Sequence, residues 1–270
     1  MHGAGNDYIY VNAMQEQVYD AAALAIKLSD RHFGIGSDGL VLILSSDIAD
    51  FRMRMFNSDG SEAEMCGNAS RCVGKYVYDK GLTKNTSLSL ETKAGLKKLE
   101  LTVEDGLVSS VRVDMGEPVL EPAAIPVDVA GDYAIQVPVL VDQIEYELNC
   151  VSMGNPHAVI FTGGIDALNL PELGPKFEFN VLFPKRTNTE FVEVLDSSHV
   201  RMRVWERGAG ETLACGTGAC AVLVAGVLSG LLQRKAVVDL RGGSLQIEWN
   251  AQNNHVYMTG GASTVFEGEV

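Results

Sequence analysis

An internal repeat constrains this chain more than any other feature of its sequence. Residues 201–230 read RMRVWERGAGETLACGTGACAVLVAGVLSG, and residues 52–81 read RMRMFNSDGSEAEMCGNASRCVGKYVYDKG. Arg52 and Arg201, Met53 and Met202, Arg54 and Arg203, Glu62 and Glu211, Cys66 and Cys215, Gly67 and Gly216, and Gly81 and Gly230 all lie 149 positions apart (201 − 52, 215 − 66 and 230 − 81 give the same number). No gap is needed. The offset also carries Gly5-Asn6 onto Gly154-Asn155, each followed by an apolar run. Self-similarity of this kind marks two diverged copies of one unit, and 270 residues are enough for each copy to bury its own core. We place the halves at 1–115 and 116–258, with 259–270 holding a last strand that returns to the first half.

Periodicity and turn residues make the chain rich in strands. Helices are predicted at 21–29 behind the N-cap Asp20, at 69–80 ahead of Gly81, and at 217–229, with a shorter helical segment near 168–173. Among the predicted strands are 133–141 and, at the end of the chain, 264–267. The helix at 217–229 contains AVLVAGVL and has no polar face, so protein must surround it. With so many strands available, the container is a curled sheet. The fold class is therefore α+β: two pseudo-symmetric domains, each a β-barrel-like sheet wrapped around a central helix.

A formal net charge of −14 excludes nucleic acid and anionic membrane as partners, because both require a basic surface. There is no basic leader with an apolar core, and no window approaches the ~20 apolar residues of a membrane span, so the expectation is a soluble, cytoplasmic protein. The 5 cysteines are odd in number and too few for a disulfide framework. Neither Cys66 with Cys72 nor Cys215 with Cys220 forms a CxxC, and on a helix these spacings turn the side chains about 240° and about 140° apart. No metal site is expected from them. Cys72, Cys150 and Cys220 read as small buried hydrophobes.

Cys66 and Cys215 differ from the other three in each preceding a glycine and sitting directly before a predicted helix. Unpaired N–H groups and the positive end of the helix dipole lie there, which predicts a lowered thiol pKa. The same N–H groups suit a substrate carboxylate. Two such sulfurs on opposite sides of one carbon could remove a proton from one face and return one to the other.

The segments HGAGNDY at 2–8, NSDGSEAEMCGNASRC at 57–72, MGNPH at 153–157 and ERGAGETLACGTGAC at 206–220 resemble diaminopimelate epimerases, and the likeness runs through nearly the whole chain. The resemblance implies a cofactor-independent enzyme that interconverts LL- and meso-diaminopimelate in bacterial lysine and cell-wall biosynthesis. It also implies two α/β domains with the site in the cleft between them, and Cys66 and Cys215 as the acid/base pair. Position by position, Asn6, Asn57, Asn155 and Asn188 match substrate-binding carboxamides. Gly67 with Asn68, and Gly216 with Thr217, match the backbone donors to the reacting carboxylate. Glu206 and Arg207 match a pair that holds the substrate's charged groups, and His157 is read as support for these residues.

The implied partner is the small-molecule substrate alone, with no cofactor and no metal. The sequence leaves the oligomeric state open, a homodimer included. Two positions depart from the family: Gly39 stands where many members have Gln, implying a lost distal contact, and Ser70 stands where glycine is usual. Other readings of the same residues are a related two-cysteine racemase of proline or hydroxyproline, a thiol redox protein using Cys66 and Cys215, and an amino-acid-binding module.

Overall fold

Short apolar runs broken by turn residues fold here into 18 strands and four α-helices among the described residues, 1–269, of a computed structural model. They form two compact units, Met1–Asp114 joined by the residues from Thr259 onward, and Met115–Met258.

The first unit runs β1 (His2–Gly3), β2 (Asn6–Asp7), β3 (Ile9–Asn12), α1 (Ala21–Ser29), β4 (Gly39–Leu44), β5 (Phe51–Asn57), β6 (Glu62–Ala63), α2 (Gly67–Asp79), β7 (Ser87–Thr92), β8 (Gly95–Glu104) and β9 (Leu107–Gly116). Asp20 caps α1 by accepting from Ala23 N at 3.0 Å. The sheet order is β9-β8-β7-β5-β4-β3, with β6 on β5, while β1 and β2 form a separate two-stranded ladder. Alternation along β4 sends Leu40 and Leu42 into a cluster with Ala25 of α1, while Val41 and Ile43 are buried on the other face. On α2, Gly74 allows a close approach to β8: a Cβ there would lie 3.0 Å from Leu101 Cδ2.

The second unit runs β10 (Val137–Val141), β11 (Ile144–Ser152), β12 (Pro156–Phe161), α3 (Leu170–Glu178), β13 (Asn188–Asp196), β14 (His199–Glu206), β15 (Gly210–Thr212), α4 (Gly216–Leu228), β16 (Lys235–Leu240), β17 (Gly243–Trp249) and β18 (Val256–Gly260). The sheet order is β10-β11-β12-β13-β14-β16-β17-β18, with β15 on β14. Helix α4 packs against β11, β12, β13, β16 and β17. Strands far apart in the order thus touch one helix, so the sheet wraps it. Val222, Leu223 and Val224 are fully buried, and burial of each such side chain contributes about 1.5–3 kcal/mol. On the outer face, Phe177 and Leu170 of α3 pack with Cys150, Ala158, Ile160 and Phe191. Gly174 makes that packing possible, since a Cβ there would stand 2.2 Å from the Trp205 ring.

The repeat extends to strand register. Ile9 pairs with Leu40 and Ala158 with Thr189; Leu40 pairs with Phe56 and Thr189 with Trp205; Met55 pairs with Ala63 and Val204 with Thr212. Both members of every pair move by 149 between the halves (9 to 158, 40 to 189, 56 to 205).

Three sequence expectations change. The strand predicted at 264–267 does not form: the pairing that the described residues beyond Gly260 make with a strand is an isolated bridge, His2 and Ser263 exchanging backbone bonds at 2.9 Å. The available edge there is the two-residue β1, too short for a longer ladder. The strand predicted at 133–141 begins only at Val137, because Gln136 adopts φ 54°, which breaks the pleat. The helical segment near 168–173 is α3, running to Glu178 with Pro175 inside it.

Candidate active site

In the first unit, Cys66 is the N-cap of α2 in extended conformation, so Gly67 and Asn68 supply the first N–H groups that the helix ladder leaves unpaired. Cys66 is half-buried, and its Sγ donates to Asn6 Oδ1 at 3.3 Å. A polar chain orients that acceptor. Arg71, fully buried, donates to Asn68 Oδ1 at 2.9 Å; Asn68 Nδ2 donates to Asn6 Oδ1 at 3.3 Å; Asn6 Nδ2 donates to Asp38 Oδ2 at 2.8 Å. An arginine can only donate, so it turns each amide in the chain the same way and leaves the Asn6 oxygen facing the sulfur. Burial pushes the Asp38 carboxyl up, and the Asn6 amide acts against that. Gly3 leaves room for the guanidinium, since a Cβ would come 2.8 Å from Arg71 Nη2. Ser70 Oγ donates to Cys66 O at 3.0 Å.

In the second unit, Cys215 is the N-cap of α4, and its Sγ accepts from Gly218 N at 3.4 Å and lies 3.5 Å from Thr217 Oγ1. It is buried. Glu206, at the end of β14, is half-buried and accepts from Thr212 Oγ1. Enclosure raises the Glu206 carboxyl, opposed first by Thr212 and then by the nearby His157. Burial likewise pushes the Cys215 thiol well above its ordinary value, and the Glu206 and Glu190 charges push it further, against smaller contributions from Thr217 and the Gly218 N–H. This corrects the expectation of a lowered pKa at Cys215. The helix start does favour thiolate, but desolvation and two carboxylates outweigh it.

His157 and Glu190 are both fully buried, with Nδ1 2.7 Å from Glu190 Oε1 and Nε2 3.0 Å from Asn155 Oδ1. Donor atoms of His157, Glu190 and Cys215 lie within 4.8 Å of one another. Glu190 Oε1 is committed to His157 Nδ1, so the three form a hydrogen-bonded polar cluster at the sulfur, a grouping that cysteine spacing alone could not reveal.

The family model described as diaminopimelate epimerase matches residues 1–121 and 149–265. Curated relatives of that name from Acetivibrio thermocellus and Methanococcus maripaludis are 63% and 60% identical over 270 residues, covering 100% of this chain and 96% and 98% of theirs. The chain belongs to the diaminopimelate epimerase family. Solved structures carry the fold further afield. A phenazine biosynthesis protein of the PhzF family from Bacillus anthracis aligns with TM-score 0.67 at 18% identity, over 97% of this chain and 92% of that one. A hydroxyproline epimerase from Agrobacterium vitis aligns with TM-score 0.64 at 16% identity, over 96% and 86%.

Of the residues matched to the diaminopimelate epimerase motifs, the first unit gathers Asn6, Cys66, Gly67 and Asn68. The second unit gathers Asn155, Glu206, Cys215, Gly216 and Thr217. Others are engaged elsewhere. Asn57 Nδ2 donates to Ser61 Oγ at 3.0 Å within its own turn. Both ends of the Asn188 carboxamide meet backbone, at Pro156 O (2.8 Å) and Arg207 N (2.9 Å), and exposed Arg207 reaches Lys185 O at 3.0 Å. Gly39 is no open position awaiting a longer side chain: a Cβ there would stand 2.0 Å from Phe56 O.

Sequence reading missed Asp38, Arg71 and Glu190. Only Glu190 left a trace, as a charge on the face that alternation reserves for apolar side chains.

Proposed function

We infer that this protein is a diaminopimelate epimerase, interconverting the LL and meso forms by proton transfer between two cysteines, Cys66 and Cys215. The observation that carries the reading is full-length identity of about three residues in five to relatives of that name, in a chain with a Cys-Gly at the start of both central helices. The substrate belongs to lysine and cell-wall precursor synthesis, and we place the enzyme in the cytoplasm. No helix among the described residues is long and apolar enough to cross a membrane.

The chemistry follows from the groups available. A thiolate on one face of the α-carbon takes its proton, and the C–H electron pair remains on carbon and spreads into the carboxylate. The thiol on the other face then donates its proton to that carbon. The configuration is inverted, and the two sulfurs have exchanged thiolate and thiol. N–H groups at a helix start are aimed where the extra carboxylate charge develops and do not reorganise during reaction. Cys215, buried and beside two carboxylates, rests as thiol, so it donates the proton in the first turnover; Cys66, whose thiol donates to Asn6 Oδ1, releases that proton to water before it acts as the base. Asn6, Asn57, Asn155, Asn188, Glu206 and Arg207 are the proposed contacts to the rest of the substrate. Asn57, Asn188 and Arg207 must exchange their present partners to serve, which binding could drive.

Incubating the protein with LL-diaminopimelate in D₂O tests the reading. Deuterium entering at one α-carbon as the meso form appears supports it. Exchange with proline or hydroxyproline but none with diaminopimelate would replace it with the racemase alternative.

A further inference from the structure

Glu190 is a carboxylate at a position built for an apolar side chain. Its register partners are Val159 on β12 and Val204 on β14, so it points to the face of the sheet that carries α4. It is fully buried, and its Oε2 has no hydrogen-bond partner. An ionised carboxylate in such a place costs several kcal/mol before any compensation. Its surroundings identify what compensates. Oε1 holds His157 Nδ1 at 2.7 Å, and the donor atoms of Glu190, His157 and Cys215 lie within 4.8 Å of one another. Helix α4 also leaves a gap for it: a Cβ at Gly218, whose N–H contacts the sulfur, would lie 2.6 Å from Glu190 Oε1. The equivalent positions in the first half are Val41 and Tyr8 (190 − 149 and 157 − 149). The pair belongs to one cysteine only.

We propose that Glu190 is a positioning residue for epimerisation: by accepting the Nδ1 proton of His157 and setting a negative charge beside Cys215, it fixes the imidazole and holds Cys215 as the thiol that donates. The proposal rests on reading Cys215 as one of the two proton carriers. An ionised carboxylate only accepts, so it selects the Nδ1–H form of His157. The titratable groups on the same face as Glu190 are His157 on β12, Glu206 on β14 and Cys215 at the start of α4; Cys150 on β11 lies on the opposite face of the sheet and feels the Glu190 charge through it. Glu206 adds a second negative charge with the same effect on Cys215. Cys150 does not compete for the proton, because burial first and Glu190 second push its thiol up to about 12.

The test compares E190Q and E190D with the wild type. Iodoacetamide labelling of the Cys215 peptide, followed by mass spectrometry across pH, reads the thiol directly and needs no turnover. E190Q keeps the shape and removes the charge, so its labelling profile should move to lower pH by about one unit or more. With LL-diaminopimelate its kcat should fall roughly tenfold to a hundredfold with KM little changed, and E190D should recover part of both. An unchanged labelling profile overturns the proposal, including when activity is lost, because that is the signature of a purely structural role. A shifted profile in a protein whose wild type fails to epimerise diaminopimelate upholds the Glu190–Cys215 coupling and removes the substrate reading instead. If E190Q does not fold, the ¹⁵N spectrum of His157 in the wild type decides: a protonated Nδ1 supports the proposal, and a bare Nδ1 overturns it.

Discussion

The two halves share a backbone plan down to strand register, yet they surround their cysteines differently. Cys66 is half-buried and donates to a carboxamide oxygen at the end of the chain Arg71-Asn68-Asn6-Asp38. Cys215 is buried beside Glu206 and Glu190. At the shared offset, Asn57 corresponds to Glu206, Val41 to Glu190, Tyr8 to His157 and Asn68 to Thr217 (each 149 apart). Duplication therefore kept the helix start with its unpaired N–H groups and changed the side chains around each sulfur. Two equivalent thiols would have no preferred loading; charge placed on one side supplies it.

The largest effect that would break this comparison is loss of either sulfur. Cys66→Ala and Cys215→Ala should each lower kcat by at least roughly 10²–10⁴-fold, measured as deuterium incorporation from D₂O, while circular dichroism stays native. Activity persisting in one variant would mean that the halves do not divide the work.

The next effect concerns a repeated ion pair. Arg203 meets Glu211 at 2.8 Å with side-chain exposures of 6% and 16%, and also donates to Ile165 O at 2.6 Å and Leu168 O at 2.9 Å. Its counterpart Arg54 meets Glu62 at 2.7 Å at 39% and 31% exposure. Removing one partner of a buried pair costs about 3–5 kcal/mol, whereas an exposed pair contributes about 0–1 kcal/mol. Urea unfolding of Arg203→Ala and Arg54→Ala should show that contrast, and equal losses would show that the halves are stabilised alike.

A smaller, pH-dependent effect belongs to Cys215. Its folded pKa lies well above the ordinary 9.0 because of burial and then the Glu206 and Glu190 charges. The native state therefore keeps a proton that the unfolded chain gives up. The stability from this group is fully present below pH ~9 and is lost as pH rises toward the folded value, at a limit of about 1.4 kcal/mol per pH unit. Unfolding free energy of wild type minus that of Cys215→Ser should thus decline above pH ~9. A flat difference would refute the assigned direction.

Ser70→Ala should do least. It removes the bond to Cys66 O, worth about 0.5–1.5 kcal/mol, and gains about 0.5 kcal/mol of helix propensity. Thermal melting should register a net change below about 1 kcal/mol. A larger one would make Ser70 a structural support of the Cys66 turn.

Much of this molecule was legible in the sequence by itself. The 149-residue offset announced two units, because matched cores require matched apolar positions. The faceless helix demanded an enclosing sheet, which strands on both sides of α4 supply. Glycine after cysteine marked both helix starts, since local backbone geometry is a local property of the chain. The environment of each sulfur was decided only in three dimensions. His157, Glu190 and Cys215 come from β12, β13 and α4, so their neighbourhood depends on strand register. The direction of the Cys215 shift depends on how much water the packed sheet excludes. The sequence shows which side chains carry charge, whereas desolvation and distance, which decide where a proton sits, exist only once the chain has folded.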